Sequence, residues 1–233
     1  MRTIGVLGGM GPAATAYFFQ QLVDRVAAAR DQSHPPCLLY NATQVPDRTA
    51  HLTADGSDPT SALQAASRVL ERGGADFIAI PCNSAHAYLA AIRDAVAIEV
   101  LDMIDLTAAR AASVLPSGGI AGLLAASGTI NLGLYDRALE ARGLRALRPR
   151  PQTQNTVMTA IRAVKGGESG GRELLEPAID ELVAGGAELV ILGCTELPIV
   201  VDVDAASVPI LDATAVLLME SLSRSRAASL GQP

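Results

Sequence analysis

The sequence predicts an α/β fold built from two similar units. An apolar strand leads to Cys82 and is followed by the small capping residues Asn83 and Ser84, and an equivalent strand leads to Cys194 and Thr195, 112 residues later. Short apolar runs of this kind indicate buried parallel strands. The two cysteines therefore lie at matching places, where each strand ends.

Other segments repeat in the same order and at similar spacing. Residues 8–11 correspond to 125–128, residues 73–76 to 185–188, and residues 100–102 to 210–212. Internal duplication of one α/β unit is the simplest explanation of such ordered repeats. If the units face each other about a pseudo-twofold axis, both cysteines approach one cleft, because ligands of parallel sheets bind beyond the carboxyl ends of the strands.

Composition narrows the class of protein. Hydrophobic residues make up 49% of the 233 residues and aromatic residues only 3%, so the core must consist of aliphatic side chains, which favours closely packed α/β layers. This length suits one large domain or two of about 110 residues. A net charge of −6 argues against general binding of nucleic acid, whose phosphates attract basic surfaces.

The cysteine content and the hydropathy bear on location. Three cysteines without a C-x-x-C pair predict neither a disulfide framework nor a zinc site. The first apolar stretch is too short for a signal peptide, and no run reaches the roughly 18 apolar residues of a membrane span. We therefore expect a soluble, cytoplasmic protein without a membrane partner.

Periodicity and turn residues place the elements along the chain. Strands are expected at residues 3–7, 37–40, 120–125 and immediately before each of the two motif cysteines, helices at 13–30, 61–72, 85–96 and 106–115, and a long polar connection at 41–60.

A glycine-rich turn at residues 8–11 follows the first strand. Its G-x-G-x-x-A pattern (Gly9, Gly11, Ala14) matches the dinucleotide fingerprint, but that fingerprint needs an acidic residue after the second strand, where Asn41 stands. We therefore expect the N–H groups around Met10 and Gly11 to bind a carboxylate or a similar small anion.

The two motif cysteines are the candidate reactive groups. A thiol at the N-terminus of a helix lies near unpaired N–H groups, which lower its pKa, so Cys82 and Cys194 are expected to be partly thiolate near neutral pH. An acid and a base on opposite faces of one carbon remove a proton from one side and return it on the other, which inverts the centre. Cys37, inside a strand, is expected to be an inert core residue.

Two cationic side chains are candidates for binding an acidic substrate. Arg48 lies in the long connection, and a guanidinium holds a carboxylate with two parallel hydrogen bonds. Lys165 precedes a glycine-rich turn from which it can close over a substrate. Both have a simpler explanation as solvated surface charges. His86, in the first turn after Cys82, is either a partner of that thiol or a helix-surface histidine.

With these motifs in place, the sequence resembles the pyridoxal-phosphate-independent aspartate/glutamate racemases over nearly its whole length. The resemblance runs from residues 4–12 through 46–49, 81–86 and 193–196 to Leu211 and Asp212. Its paired cysteine motifs are specific, whereas the glycine turn alone is not. Ser84 and Ser127 stand where the family commonly has threonine, which leaves the chain length of the substrate open.

The resemblance implies a fold, an activity and a set of site residues. The fold would have two α/β halves with four-stranded parallel sheets, residues 1–104 with 213–227 and residues 105–212, followed by a tail at 228–233. The activity would be racemisation of an acidic amino acid, L-aspartate to D-aspartate, by a homodimer that needs neither a metal nor an organic cofactor. Cys82 and Cys194 would be the acid/base pair, and the substrate-binding residues would be Met10, Gly11, Arg48, Asn83, Ser84, Lys165 and Thr195.

Several alternatives remain. The substrate is glutamate or a broader range of amino acids, or the chain catalyses a sister reaction, as hydantoin racemase, maleate isomerase and arylmalonate decarboxylase do with one or both cysteines. Arg48 and Lys165 favour an acidic amino acid over a hydantoin. A different class is a non-catalytic module that binds an amino acid, and the polar neighbours of both thiols, Asn83 and Thr195, argue against it.

Overall fold

The computed structural model describes residues 1–168, 171–201 and 208–227, with only the backbone of residues 171 and 172. The tail expected at 228–233 lies outside the described residues. The first half contains strands β1 (Ile4–Gly8), β2 (Cys37–Asn41), β3 (Phe77–Ala79) and β4 (Glu99–Val100), helices α1 (Pro12–Asp24), α2 (Arg48–Thr53), α3 (Thr60–Arg72) and α4 (Leu89–Arg93), and 3-10 helices at Asp31–Ser33 and Asn83–Tyr88.

The chain then enters a second half of the same design. Its elements are helix α5 (Met103–Ala112), strand β5 (Ile120–Ala125), helices α6 (Ser127–Asn131) and α7 (Leu134–Glu140), strand β6 (Arg145–Leu147), helices α8 (Pro151–Gly166) and α9 (Gly171–Ala184), strand β7 (Leu189–Gly193), a 3-10 helix at Leu197–Ile199, strand β8 (Ile210–Asp212) and helix α10 (Ala213–Arg226).

The two sheets have the same topology. Each is parallel and four-stranded, with the order β2-β1-β3-β4 in the first half and β6-β5-β7-β8 in the second. The inner strands are therefore β1 and β3 in one sheet and β5 and β7 in the other. The predicted α/β fold with two four-stranded parallel sheets is confirmed.

Burial follows from helices on both faces of each sheet. Every residue of β1 (IGVLG) and of β7 (LVILG) is buried, with no alternation of apolar and polar positions, as expected for strands covered on both sides. Helix α10 packs against the core of the first half, since Leu217 and Leu222 share a core cluster with Ile4 and Phe18.

Helix α1 ends earlier than the sequence predicts. It stops at Asp24 instead of residue 30, and the N–H of Arg25 bonds to Gln21 O and Val23 O at its end. The chain then turns so that Val26 re-enters the core of the first half, where it is buried. Burial of this apolar side chain outweighs the helix propensity of the exposed residues that follow.

The helix expected at 85–96 is replaced by two short helices. A 3-10 helix covers Asn83–Tyr88 and is followed by the five residues of α4. The carbonyl of Cys82 would accept the first α-helical bond, but it accepts a bond from Nδ1 of His86 at 2.9 Å. Because a side chain replaces the backbone donor, the segment winds more tightly and keeps Cys82 at its N-cap.

The helix expected at 106–115 begins three residues earlier, at Met103, and ends at Ala112. The side chain of Asp102 accepts a bond from the N–H of Asp105 at 3.0 Å and so caps the first turn. Asp212 caps α10 in the same way through Thr214 N, at 2.7 Å.

The turn at residues 8–11 requires glycine at its second position. Gly9 has a φ of +90°, and a Cβ there would lie 2.5 Å from the backbone nitrogen of Ala42. The turn therefore packs directly against the chain that leaves β2, and this contact sets where the loop carrying Arg48 begins.

The halves also meet through α2 and α6. A Cβ on Gly128 of α6 would lie 3.1 Å from Leu52 Cδ1 and 3.3 Å from Thr49 Cα of α2. The backbone of α6 at Gly128 therefore packs directly against α2. Among the helices of the described ranges, none combines the length and apolarity needed to cross a membrane.

Candidate active site

The candidate site lies where the carboxyl ends of the inner strands of both sheets converge. Strands β1 and β3 lead to Gly11 and Cys82, and strand β7 leads to Cys194. Two hydrogen bonds join the halves here. The N–H of Gly11 donates to Glu196 Oε1 at 3.2 Å, and Tyr135 Oη donates to Asn83 Oδ1 at 2.6 Å.

Lys165 brings a cation to the carboxylate of Glu196. It lies in the last turn of α8, not in the following turn, and its Nζ is 3.9 Å from Glu196 Oε1. Burial lowers its pKa, but the negative charges of Glu196, Cys194 and Cys82 more than offset this effect, so its pKa is raised. The ammonium group therefore keeps its proton and pairs with the carboxylate of Glu196.

Cys194 is a buried thiol beside a carboxylate. Its Sγ donates to Glu196 Oε2 at 3.0 Å, and its side chain is 7% exposed. Burial, followed by the charge of Glu196, raises its pKa well above the usual value, while Lys165 acts in the opposite direction. The expectation of a lowered pKa at Cys194 is wrong, because burial of the thiol and the charge of Glu196 both raise its pKa.

Glu196 is a site residue that the sequence analysis missed. It is 2% exposed, and besides Cys194 and Gly11 it accepts a bond from Thr195 Oγ1 at 3.5 Å. The duplication gives the signal that could have found it, since position 196 in the second motif corresponds to Ser84 in the first. One half therefore places a carboxylate where the other places a hydroxyl.

Cys82 lies beside a hydroxyl group rather than a carboxylate. Its Sγ lies 3.6 Å from Ser84 Oγ, and both side chains are buried. His86 does not face the thiol. Its Nδ1 donates to Cys82 O, and its Nε2 accepts from Met103 N at 3.0 Å, so both ring nitrogens are occupied. Burial lowers the pKa of His86, which is consistent with a neutral ring that supports the Cys82 backbone.

Arg48 is buried, not solvated. Its guanidinium is held by three carbonyl groups: Nη1 donates to Pro46 O at 2.9 Å and to Val45 O at 3.3 Å, and Nη2 donates to Met10 O at 3.0 Å. Arg48 thus fastens the start of α2 to the turn after β1. Met10 is itself buried, and its carbonyl, not its N–H, makes the observed contact.

Several buried polar atoms at these segments lack a partner in the part of the chain that the structure describes. They include Arg48 Nε, Asn83 Nδ2 and Thr129 Oγ1. A buried polar group without a partner costs about 1–3 kcal/mol. Because Arg48 and Asn83 offer donors, an anionic group bound between them would satisfy both. Thr129, on α6, is a further residue that the sequence analysis did not single out.

Gly11 lies close to the second half, where a side chain would crowd Glu196. A Cβ on Gly11 would lie 3.2 Å from Glu196 Oε1 and 3.9 Å from Lys165 Cγ. The turn of the first half therefore approaches the Glu196 segment of the second half directly, which the dinucleotide reading of this turn does not explain.

The remaining candidates lie apart from this cluster. Cys37 is in β2, and burial raises the pKa of its thiol to about 11, as expected of an inert residue. His51 Nδ1 bonds to Tyr88 Oη at 2.6 Å. All three cysteines are free, and within the described ranges no group of three or more His, Cys, Asp or Glu side chains is arranged to hold a metal ion.

Fold and site together define a duplicated α/β protein in which each half brings one buried thiol to a shared cleft. A sequence model described as Asp/Glu/Hydantoin racemase matches residues 7–220. The chain therefore belongs to the Asp/Glu/hydantoin racemase family, a family of amino-acid racemases.

Individual relatives agree with this family. The chain is 27% identical over 225 residues to the broad specificity amino-acid racemase RacX of Bacillus subtilis, covering 94% of this chain and 96% of that protein. It is 30% identical over 162 residues to a glutamate racemase of Desulforudis audaxviator, covering 66% and 58% of the two chains. The Picrophilus torridus aspartate racemase superposes with a TM-score of 0.86 and 29% identity, covering 97% of this chain and 94% of that one.

Proposed function

We propose that this protein racemises an acidic amino acid, L-aspartate to D-aspartate, through two thiols on opposite faces of the α-carbon. The observation that carries the proposal is that Cys82 and Cys194 are both buried and that each follows an inner strand, one in each half of the duplicated fold. Two thiols on one side of a substrate would only exchange its proton, whereas thiols from opposing halves invert the centre.

The chemistry balances without a cofactor. A thiolate on one face takes the α-proton, so an S–H bond forms as the C–H bond breaks and the electron pair passes into the carboxylate as an enediolate. The thiol on the other face then gives its proton to the carbon. Fixed donors must hold the developing charge, and they act most strongly in a site that excludes water. We propose that three buried residues, Asn83, Ser84 and Thr195, donate hydrogen bonds to the α-carboxylate of the substrate and contact its amino group.

The raised pKa of Cys194 supports an assignment of the proton donor in the resting enzyme. A thiol that donates to the carboxylate of Glu196 is the protonated partner, so Cys194 is the acid and Cys82 the base in the first turnover.

Two cations support an acidic side chain in the substrate. Arg48 keeps its Nε without a partner among the described residues, and Lys165 stands across the cleft with a 37% exposed side chain. A second carboxylate on the substrate would bind to them. Aspartate is the preferred candidate because the Picrophilus torridus protein of the same fold is an aspartate racemase.

A broader substrate range is the second candidate. RacX, which resembles the chain along almost its whole length, is named for broad specificity. Lys165 is partly neutralised by Glu196, which weakens its preference for a substrate carboxylate. If this candidate holds, neutral amino acids will be racemised at rates comparable with aspartate.

Proton NMR in deuterated water tests the proposal. L-aspartate, D-aspartate, L-glutamate and a panel of neutral amino acids are offered separately, without cofactor, and loss of the α-proton signal is followed together with the enantiomer formed. Deuterated D-aspartate from L-aspartate is the expected result, with Cys37→Ser as a control that keeps full activity. A folded protein that exchanges and inverts none of these substrates would refute the proposal.

The assembly and the division of the chain are proposals of the same kind. We propose a cytoplasmic homodimer, and a division into residues 1–104 with 213–227 and residues 105–212. Packing of α10 against the first sheet supports this division. Sedimentation equilibrium tests the dimer, and a mass of one chain at micromolar concentration would exclude it.

A further inference from the structure

We propose that Tyr135 is a positioning residue that fixes the side-chain amide of Asn83, so that its N–H groups face the substrate. The inference rests on the proposed racemisation, because it concerns the same site. Tyr135 lies on α7 in the second half, whereas Asn83 follows Cys82 in the first, so the orientation of a binding group in one half is set by the other.

The contact is short and buried. Tyr135 Oη donates to Asn83 Oδ1 at 2.6 Å, near the short end of the usual range for such bonds. Tyr135 is fully buried and Asn83 is 3% exposed. Burial raises the pKa of Tyr135, so the phenol keeps its proton and remains a donor throughout the working range of pH.

The direction of this bond decides what Asn83 offers to a ligand. An amide has one accepting end and one donating end. With Oδ1 bound to Tyr135, the donating Nδ2 is left buried and without a partner in the described residues. A substrate carboxylate supplies the acceptor that this group lacks, whereas a reversed amide would present its oxygen and repel that carboxylate.

Thr107 offers the Tyr135 hydroxyl an alternative hydrogen-bond acceptor. Its hydroxyl also lies against Tyr135, and it donates its own proton to Met103 O at 2.7 Å. If Tyr135 gave its proton to Thr107, the Asn83 amide would be reversed and would donate to Tyr135. Thr107→Val keeps the shape of this buried side chain and removes only the hydroxyl, so it distinguishes the two arrangements.

A double-mutant cycle tests whether Tyr135 acts through Asn83. The values of kcat and KM are measured for the wild type, Tyr135→Phe, Asn83→Ala and the double variant, with a thermal unfolding midpoint for each. We expect Tyr135→Phe to lower kcat/KM about tenfold, mainly through KM, and to change it by less than about twofold in the Asn83→Ala background. Thr107→Val and the exposed control Tyr40→Phe should stay within about twofold of the wild type.

Three results would overturn the proposal. The first is an equal loss from Tyr135→Phe in both backgrounds, which would indicate general packing. The second is full activity of Tyr135→Phe. The third is a loss in Thr107→Val as large as that in Tyr135→Phe, which would indicate the reversed amide.

A measurement on the free protein separates this inference from the proposed function. The chain has four asparagines, so selective labelling with 15N-asparagine gives few side-chain amide signals, and Asn83→Ala identifies the pair from Asn83. That pair should shift in Tyr135→Phe and stay in place in Thr107→Val. An unmoved pair in Tyr135→Phe contradicts the contact, whether or not the protein proves to be a racemase.

Discussion

At the scale of single residues, the two thiols have unequal neighbours. Cys194 donates to a carboxylate at 3.0 Å, whereas Cys82 lies 3.6 Å from the hydroxyl of Ser84. Ser84 and Glu196 occupy corresponding positions of the duplicated motif, so one difference between the halves makes the pair asymmetric. A nearby negative charge holds a proton on the thiol, while a hydroxyl is able to stabilise a thiolate.

The first prediction concerns the loss of either thiol. Cys82→Ser and Cys194→Ser should each lower racemisation by at least about 100-fold, because a serine hydroxyl is a poor base at neutral pH. Each variant should retain exchange of the α-proton for at least one enantiomer, because one thiol still faces that proton. NMR in deuterated water measures both rates, and racemisation at the wild-type rate in both variants would exclude the two-base scheme.

The second prediction concerns the carboxylate beside Cys194. Glu196→Gln removes a negative charge 3.0 Å from Sγ while Lys165 remains, so the pKa of Cys194 should fall and its alkylation by iodoacetamide at pH 7.5 should become faster, by about tenfold for one unit of pKa. Mass spectrometry of the modified peptides gives the rate for each cysteine. Cys37, which Glu196 does not contact, is the internal control, and an unchanged rate at Cys194 would contradict the assigned cause.

At the scale of elements, α2 carries Arg48, the proposed substrate-binding cation, which also ties the loop to the turn after β1. Arg48 donates to three carbonyl groups in two segments, so its position depends on both the β1 turn and the start of α2. Across the cleft, α2 packs on α6 at Gly128. The helix is only six residues long and has little stability of its own, so these contacts must hold it.

The third prediction therefore concerns Arg48. Arg48→Lys keeps the charge, but an ammonium group cannot reproduce the planar set of bonds or offer Nε to a carboxylate. We expect KM for aspartate to rise about tenfold and the free energy of unfolding to fall by about 1–2 kcal/mol. Steady-state kinetics and urea unfolding measure these changes, with the exposed Arg72→Lys as control. Equal KM values in the two variants would remove Arg48 from the binding site.

At the scale of the whole molecule, the chain crosses between halves twice, through α5 and again through α10. Both helices begin at an aspartate cap, Asp102 and Asp212, that ends a short strand. Asp212 is half-buried and lines the cavity of about 900 Å³ that lies between these helices. Burial raises its pKa to about 6 from 3.8, and the bonds from Thr214 and Ala215 only partly oppose this.

The fourth prediction follows from the sign of that shift. The folded state holds the Asp212 proton more tightly than the unfolded state does. This carboxyl therefore lowers the free energy of unfolding as the pH rises from about 4 to about 6, and its contribution stays constant above that range. The effect of Asp212→Asn on the free energy of unfolding, measured against the wild type, should be more stabilising at pH 7.5 than at pH 4 by about 2–3 kcal/mol. Urea unfolding at the two pH values checks it, with Asp102→Asn as the matched control. A gain independent of pH would disprove the shifted pKa.

The sequence by itself determined the duplicated α/β architecture and the positions of both thiols. Apolar strands and ordered repeats are local patterns, and a parallel strand ends where its apolar run ends, so Cys82 and Cys194 could be placed at the carboxyl ends of β3 and β7 without coordinates. The family resemblance rests on the same residues, and the match over residues 7–220 bears it out.

Only the tertiary structure decided the surroundings of those thiols. Glu196 bonding to Gly11 and Tyr135 bonding to Asn83 are contacts between residues far apart in the chain, with separations of 185 and 52 residues. The pKa of a group depends on its burial and on the charges around it, and neither quantity is local in sequence. For this reason the predicted lowering of the Cys194 pKa was wrong, although its place in the fold was right.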